Sequence, residues 1–304
     1  MSFDRYDLII IIPVYEDLES FKELILNIKL NVKEKFFIIA VDDCSVISPL
    51  NLKVLKNVKV NGIILKLNEN LGHQVAIATG LNYIKNKISE KHFVVVMDCD
   101  GEDDPKSINK LKNFYIKGSF EVAVAERRKR QSTIFFIFFY IIYKILFRFL
   151  VGKKLNFGNF MIFKKHFLNK IVKIKDLYEH FPATVISINS NIGFCKIDRS
   201  NRYTGESKMN FISLVQHALR SFNVFIEMIL TRIFIFCIFL SMLILLVIGI
   251  VISLKFLDIA TPGWFSTSIG ILSIMLIQVA GFSLIALLLT RNIKSRELDR
   301  NDVK

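Results

Sequence analysis

The chain has 304 residues, is 52% hydrophobic with 28 Phe, and carries Lys+Arg 41 against Asp+Glu 27, a net charge of +14. A mean hydropathy of +0.43 is too apolar for an ordinary soluble enzyme, and so much apolar surface excludes a disordered chain. With 13 Gly and 5 Pro, collagen-like and low-complexity classes are excluded too; the basic excess points to nucleic acid or an anionic membrane, and the hydrophobicity favours the membrane.

The first apolar run, Leu8–Ile12, follows a start with two acids and one Arg and is broken by Pro13. It reads as a buried strand, not a signal peptide. Further short runs follow at Phe36–Val41, Gly62–Leu67, Phe93–Met97 and Val122–Ala125. They are β-branched and continuous, which suits strands buried on both faces. Lys-rich amphipathic stretches of roughly 12–18 residues separate them, the βαβ pattern of a parallel sheet. Several of these strands end in carboxylates: Glu16-Asp17, Asp42-Asp43, Asp98 and Asp100. In open α/β sheets, ligands bind at the carboxyl ends of the strands.

Residues 133–151 are nearly all Phe, Ile, Leu and Tyr, yet Tyr140, Lys144 and Arg148 fall at four-residue steps on one helical face. A helix lying in the membrane interface fits this pattern. Residues 211–231 carry a mostly polar stripe and read as a second such helix. Ile233–Leu254 is 22 residues without a charge, and as a helix it spans roughly 33 Å, enough for a hydrocarbon core of about 30 Å. Trp264–Thr290 is 27 uncharged residues. The stretch between them holds Lys255, Asp258 and the Pro262-Gly263 break, so the pair predicts a transmembrane hairpin. Arg220 and Arg232 precede the first span. Arg291, Lys294, Arg296, Arg300 and Lys304 follow the second, which places both termini in the cytoplasm. The expected organisation is a catalytic domain over 1–210, a juxtamembrane helix over 211–231, two spans over 232–291 and a tail over 292–304. Cys44, Cys99, Cys195 and Cys237 form no CxxC pair, so no disulfide framework or zinc site is expected.

The strongest chemical signal is Val94-Val95-Val96-Met97-Asp98-Cys99-Asp100-Gly101-Glu102, with a helix start at Asp104-Pro105. Two carboxylates one residue apart at a strand end can share a hard cation with substrate phosphates. An acidic helix N-terminus is the plainer reading of the same residues. Pro13, Tyr15 and Glu16 end the first strand and Asp42-Asp43 the second, where such groups can hold a ribose or a base. Gly72, opening a helix after the third strand, allows close backbone approach to a ligand; the neighbouring His73 reads as a surface histidine.

Taken in order, Pro13-x-Tyr15, Asp42-Asp43-x-Ser45, Asn70-x-Gly72 with Ala76 and Gly80, and Asp98-x-Asp100 followed by Asp104-Pro105 resemble the family 2 glycosyltransferases. That resemblance covers about residues 7–210. It implies a GT-A fold, a Rossmann-like α/β architecture with a mostly parallel sheet, here joined to interfacial amphipathic helices and the transmembrane hairpin. A narrower likeness, to the polyprenyl-phosphate glycosyltransferases, rests on four features. These are Arg127-x-x-Arg130, Phe157-Gly158-Asn159-Phe160-Met161-Ile162, Arg202-x-x-Gly205-x-Ser207-Lys208, and Pro262-Gly263-Trp264 at the start of the second span; the two-span hairpin agrees with it.

The resemblance implies an inverting transferase using Mg²⁺ or Mn²⁺, with a nucleotide-diphosphate sugar as donor and polyprenyl phosphate as acceptor. Asp98, Asp100 and Glu102 would hold the metal, and Asn159 would stand beside the reaction. Pro13, Tyr15, Glu16, Asp42, Asp43 and Gly72 would bind the nucleotide. Arg127, Arg130, Arg202, Ser207 and Lys208 would bind phosphates. The implied location is the inner (plasma) membrane, with the catalytic domain cytoplasmic, no nucleic-acid partner, and a homo-oligomer left open. Two rival readings are a transferase that extends a lipid-linked glycan and a non-catalytic membrane scaffold. The sequence departs from the family's pattern at four places: Cys44 stands where Gly is usual, Glu102 where many members have Gln, Asn159 where many have Asp, and the Gly-Glu-Tyr pattern after the second span does not occur.

Overall fold

A computed structural model describes residues 3–127, 134–204 and 211–301; for residue 127, residues 134–137, residue 211 and residues 291–301 it describes the backbone alone. Two compact units are present. One comprises Met1–Phe147 with Lys153–Val224, the other Arg148–Gly152 with Phe225–Lys304.

The first unit is built on seven strands: β1 (Leu8–Val14), β2 (Phe36–Asp42), β3 (Gly62–Lys66), β4 (Phe93–Val96), β5 (Val122–Arg127), β6 (Phe157–Lys164) and β7 (Ile192–Ile197). Their order across the sheet is β3-β2-β1-β4-β6-β5-β7. All neighbours run parallel except β6, which is antiparallel to both β4 and β5. Every residue of β1 is buried, as its continuous apolar run requires. Pro13 lies two residues beyond Ile11, the last β1 residue paired with β4, so its missing N–H removes no ladder bond on that side.

The helices that connect these strands are α1 (Leu18–Asn31), α2 (Leu52–Val58), α3 (His73–Ile84), α4 (Lys106–Lys117), α6 (Lys165–Ile171) and α7 (Phe181–Ser187). α3 lies close against the sheet because of Gly80: a Cβ there would stand 2.7 Å from Ile11 Cγ2 and 3.2 Å from Val41 Cγ2. From β1 the chain moves outward through β2 and β3, then returns to the other side of β1 as β4. This topological switch opens a crevice at the carboxyl ends of β1 and β4, the ligand position of such sheets.

Two further helices are α5 (Ile134–Val151) and α8 (Phe211–Asn223). Within the first unit they meet through Tyr143 and Ser221, whose hydroxyl oxygens are 2.8 Å apart. Phe222 packs at ring-centroid distances of 5.7 Å from Tyr143 and 5.4 Å from Phe147. Each helix leaves an apolar face exposed: Phe138, Ile141, Ile142 and Ile145 on α5, and Ile212, Val215 and Leu219 on α8.

The second unit holds α9 (Ile226–Phe256) and α10 (Trp264–Asn301). Both are long and apolar enough to cross a membrane, over Ile226–Phe256 and Trp264–Thr290. Cys237 and Ile244 of α9 pack with Val279 of α10, while Phe236, Phe239, Met242 and Leu246 face outward. An apolar outer surface of this kind suits lipid as the solvent. The turn between the helices uses left-handed backbone at Asp258 and Gly263.

Two boundaries differ from the sequence-based expectation. The juxtamembrane helix stops at Asn223, and residues 226–231 already belong to α9. Phe225 breaks helical geometry before Ile226, and Glu227 stands in the favourable first turn of the new helix. The second helix continues past residue 291 into the charged tail.

Candidate active site

At the carboxyl end of β4 the chain turns sharply. Gly101 adopts a left-handed φ of 88°, and a Cβ there would strike the Tyr203 ring at 2.5 Å. The segment carrying Tyr203 is laid on this turn by backbone bonds from Tyr203 N–H to Asp100 O (3.0 Å) and Ser200 N–H to Glu102 O (3.1 Å). It brings two arginines against the acidic motif. Arg202 donates to Asp100 Oδ2 at 2.6 Å and to Glu102 Oε1 at 3.2 Å, and Arg199 is ion-paired with Glu102 Oε2. Arg202, expected among the phosphate cations, is thus tied to the acidic motif itself. Both oxygens of Glu102 are held by arginines.

Asp100 is buried, and that burial, followed by the charges of Asp98 and Glu102, pushes its carboxyl up to about 6 against the pull of Arg202. Asp98 takes a different environment. Its backbone N–H donates to Asp103 Oδ2 at 3.1 Å, and its Oδ1 accepts from Asn159 Nδ2 at 3.0 Å. Asn159 sits on β6, the neighbour of β4. Asp104 is spent on the helix start, accepting from Lys106 N–H at 2.9 Å.

The carboxylates at the ends of β1 and β2 serve their loops. Glu16 accepts from the backbone N–H groups of Val46 (2.5 Å), Ile47 (3.0 Å) and Ser48 (2.8 Å). These bonds hold its carboxyl down at about 2. Asp42 accepts from Ser45 N–H (3.0 Å) and Leu50 N–H (2.9 Å). Asp43 accepts from Leu71 N–H (2.9 Å) and Gly72 N–H (2.8 Å), shaping the turn into α3. Burial raises the Asp43 carboxyl from its ordinary value. Glu16 and Cys44 both take positive φ, 48° and 60°, so the two loops fold tightly around these bonds. Pro13 is buried and Tyr15 exposed at the same edge.

A cluster that no sequence spacing announces gathers at the start of α3. His73 is half-buried rather than a surface histidine. Its ring centroid is 5.6 Å from that of His217 on α8, and His217 is 4.4 Å from His180. His180 Nδ1 accepts from Ala183 N–H at 3.1 Å and so caps α7. Burial first, and then His217, His73 and Arg220, drive the His180 pKa well below its ordinary value. Arg220, also on α8, places Nη1 3.6 Å from where a Cβ on Gly72 would stand. Gln74 accepts from Phe181 N–H at 2.5 Å and contacts Asn159 and His73. His217 was visible only as part of a polar stripe, Arg220 as part of that stripe and as a cation flanking the first span, and Gln74 only as the residue after Gly72-His73.

Of the remaining expected residues, Arg127 is the last residue of β5, described in backbone only. Arg130, Ser207 and Lys208 lie outside the described residues.

A model of glycosyl transferase family 2 matches residues 9–180. The chain belongs to this family. Among family relatives, an uncharacterized glycosyltransferase from Synechocystis sp. is 25% identical over 224 residues, 70% of this chain and 67% of that protein. The undecaprenyl-phosphate 4-deoxy-4-formamido-L-arabinose transferase of Salmonella choleraesuis is 26% identical over 217 residues. That match covers 68% of this chain and 63% of the relative, just under two thirds of its length. The narrower likeness expected from the sequence is therefore met among its relatives. Among solved structures, glucosyl-3-phosphoglycerate synthase from Mycobacterium tuberculosis, in complex with Mn²⁺, UDP-glucose and phosphoglyceric acid, aligns with a TM-score of 0.55. It is 11% identical and the match covers 74% of this chain and 80% of that one. At that identity it establishes the GT-A fold and nothing finer.

The family-2 site has a donor set that fits a divalent cation. Asp98 and Asp100 present hard oxygen donors at one strand end, and the burial and carboxylate crowding that raise Asp100 are what a bound cation would offset. Among the described residues no three His, Cys, Asp or Glu side chains converge into a metal cage, so a cation held here takes further ligands from elsewhere.

Proposed function

We propose that the chain is an inverting, metal-dependent transferase. It moves one hexose from a UDP- or GDP-sugar to polyprenyl phosphate, with undecaprenyl phosphate as acceptor, for cell-surface glycan synthesis or modification. The reading rests on one juxtaposition. The unit that carries Asp98 and Asp100 also carries α5 and α8 with exposed apolar faces, and α8 brings Arg220 to Gly72. An enzyme whose acceptor is anchored in lipid needs its site at a membrane surface, and these helices supply an interfacial face.

The chemistry needs little from the protein beyond position. A phosphate monoester has a second pKa of about 6 and is mostly dianionic at neutral pH. One of its oxygens attacks the anomeric carbon and forms the new C–O bond with its own electron pair. The bond from that carbon to the diphosphate breaks, and its electrons leave on the nucleoside diphosphate. No proton need be removed, so an amide at Asn159, which is no base, is acceptable there. Asp98 and Asp100 would hold Mg²⁺ or Mn²⁺, which would supply neutralisation of charge on the diphosphate, while Arg202 offsets the crowded carboxylates. Glu16, Asp42 and Asp43 shape the loops that receive the nucleoside between Tyr15 and Gly72. Arg220, with Arg127, Arg130, Ser207 and Lys208, meets the phosphates. The flanking cations support a reading with both termini and the catalytic unit on the cytoplasmic side of the inner (plasma) membrane.

The test measures release of nucleoside diphosphate from each UDP- and GDP-sugar by full-length protein in detergent. Release from one donor that requires both polyprenyl phosphate and Mg²⁺ or Mn²⁺ is expected. Release that requires a lipid-linked glycan instead would replace this reading with glycan extension, which needs a general base. No binding of any nucleotide sugar would leave the scaffold reading.

A further inference from the structure

The polar groups between α7 and the acidic motif form a chain whose direction is fixed at one end. The backbone N–H of Phe181 can only donate, and it donates to Gln74 Oε1 at 2.5 Å. Gln74 therefore presents Nε2, its donor, on the other side. That nitrogen lies 3.4 Å from Asn159 Oδ1 and 2.6 Å from His73 Nε2. With Oδ1 of Asn159 engaged as acceptor, Nδ2 is the pole that faces Asp98 Oδ1, at 3.0 Å. Gln74 and Asn159 are both buried, with 1% and 6% exposure, so water does not compete for these positions. An amide's two poles have nearly the same shape. Packing alone therefore would not choose between them; the hydrogen-bond chain does.

We infer that Gln74 is a positioning residue for Asp98, acting through Asn159 by forcing that amide to offer an N–H, not a carbonyl oxygen, to the carboxylate. The inference rests on the proposed role of Asp98 at the metal and diphosphate. An N–H on Oδ1 keeps the carboxylate aimed and leaves Oδ2 for a cation. A carbonyl oxygen in that place would repel Oδ1 and swing the carboxylate away. Outer residues that orient a metal ligand typically govern metal affinity by roughly 10- to 100-fold. His73 belongs to the same arrangement: accepting from Gln74 at Nε2, it carries its proton on Nδ1 and takes up the second hydrogen of the Gln74 amide.

The test is Gln74→Glu, which keeps shape and still accepts from Phe181 N–H but offers a second acceptor to Asn159. The Asn159 amide must then turn over and present Oδ1 to Asp98. Mn²⁺ affinity of the full-length protein in detergent, measured by titration with UDP or GDP present, is expected to fall roughly 10-fold or more. In an Asn159→Ala background the same substitution should change Mn²⁺ affinity little, because the intermediary is gone. Gln74→Leu, which removes both poles, provides a second probe: a smaller loss in the same direction, again absent with Asn159→Ala. A loss of equal size with and without Asn159 would overturn the inference while leaving the proposed function standing. So would unchanged Mn²⁺ affinity in both Gln74 variants. A wild-type protein that binds no Mn²⁺ with either nucleotide, and whose affinity for nucleotide is unaffected by Asp98→Asn, would overturn both together.

Discussion

The two acidic ends of the site look alike in sequence and behave differently in the structure. At the ends of β1 and β2, the carboxylates of Glu16, Asp42 and Asp43 are saturated by backbone N–H groups of the loops beside them. At the end of β4, Asp98, Asp100 and Glu102 crowd one another and draw in arginines and an amide. The first set is self-sufficient and shapes a receptacle. The second carries charge that its surroundings only partly balance, which is the condition for holding a cation and a diphosphate. A carboxylate at a strand end is therefore not by itself a ligand; what it already binds decides its work.

Substitutions that keep shape and change charge should separate the two sets. Asp100→Asn is expected to lower turnover by about 10³-fold, the rate equivalent of the several kcal/mol that charge neutralisation at a leaving group supplies. Its circular dichroism should match the wild type, so that the loss is read on a folded protein. Unchanged turnover would remove Asp100 from the metal. Asp42→Asn should do the reverse. Asp42 is 1% exposed, and an amide can accept only one of its two backbone bonds. The other N–H then meets an NH₂ group, costing about 2 kcal/mol of stability, read by denaturant unfolding. A stable Asp42→Asn protein that has lost nucleotide binding would show that Asp42 touches the nucleoside after all.

Arg220→Gln probes a third place, between the two sets. It is expected to raise the KM for polyprenyl phosphate roughly 10-fold, the loss of one charge-assisted bond, with the KM for the sugar donor little changed. A donor effect instead would move Arg220 to the diphosphate. The smallest effect concerns Glu16, whose carboxyl lies at about 2 in the folded chain against an ordinary 4.5. A depressed folded pKa contributes stability that is complete above about 4.5 and lost as pH falls toward about 2. The stability difference between wild type and Glu16→Gln should therefore shrink across that window, and a difference constant with pH would contradict the loop assignment.

Much of the scaffold was legible because its signals are local. The runs at Leu8, Phe36, Phe93 and Val122 are strands buried in the sheet, since a strand covered on both faces must be apolar throughout; the run at Gly62 is a strand too, but as the edge strand β3 it is only half-buried, not covered on both faces as expected. β6 and β7 were not read as strands. β6 is antiparallel within a largely parallel sheet, so no βαβ rhythm announces it, and its Phe157–Ile162 stretch drew attention for its motif instead. β7 buries only every second residue along its length, so it lacks the continuous apolar run that marks the other strands. In the site, Asp98 and Asp100 stood out because a strand runs straight into them. The partners that give them character were hidden by distance along the chain: Gln74 lies 85 residues from Asn159 and 107 from Phe181, and Arg202 lies 102 from Asp100. Spacing cannot report contacts that only the sheet order creates.

The most direct measurement is the mass of the lipid recovered after purified full-length protein in detergent meets undecaprenyl phosphate, Mg²⁺ or Mn²⁺ and a panel of UDP- and GDP-sugars. A gain of one hexose from a single donor is expected, abolished by EDTA and by Asp100→Asn. An unmodified lipid with every donor, from a protein that still binds nucleotide sugar, would contradict it.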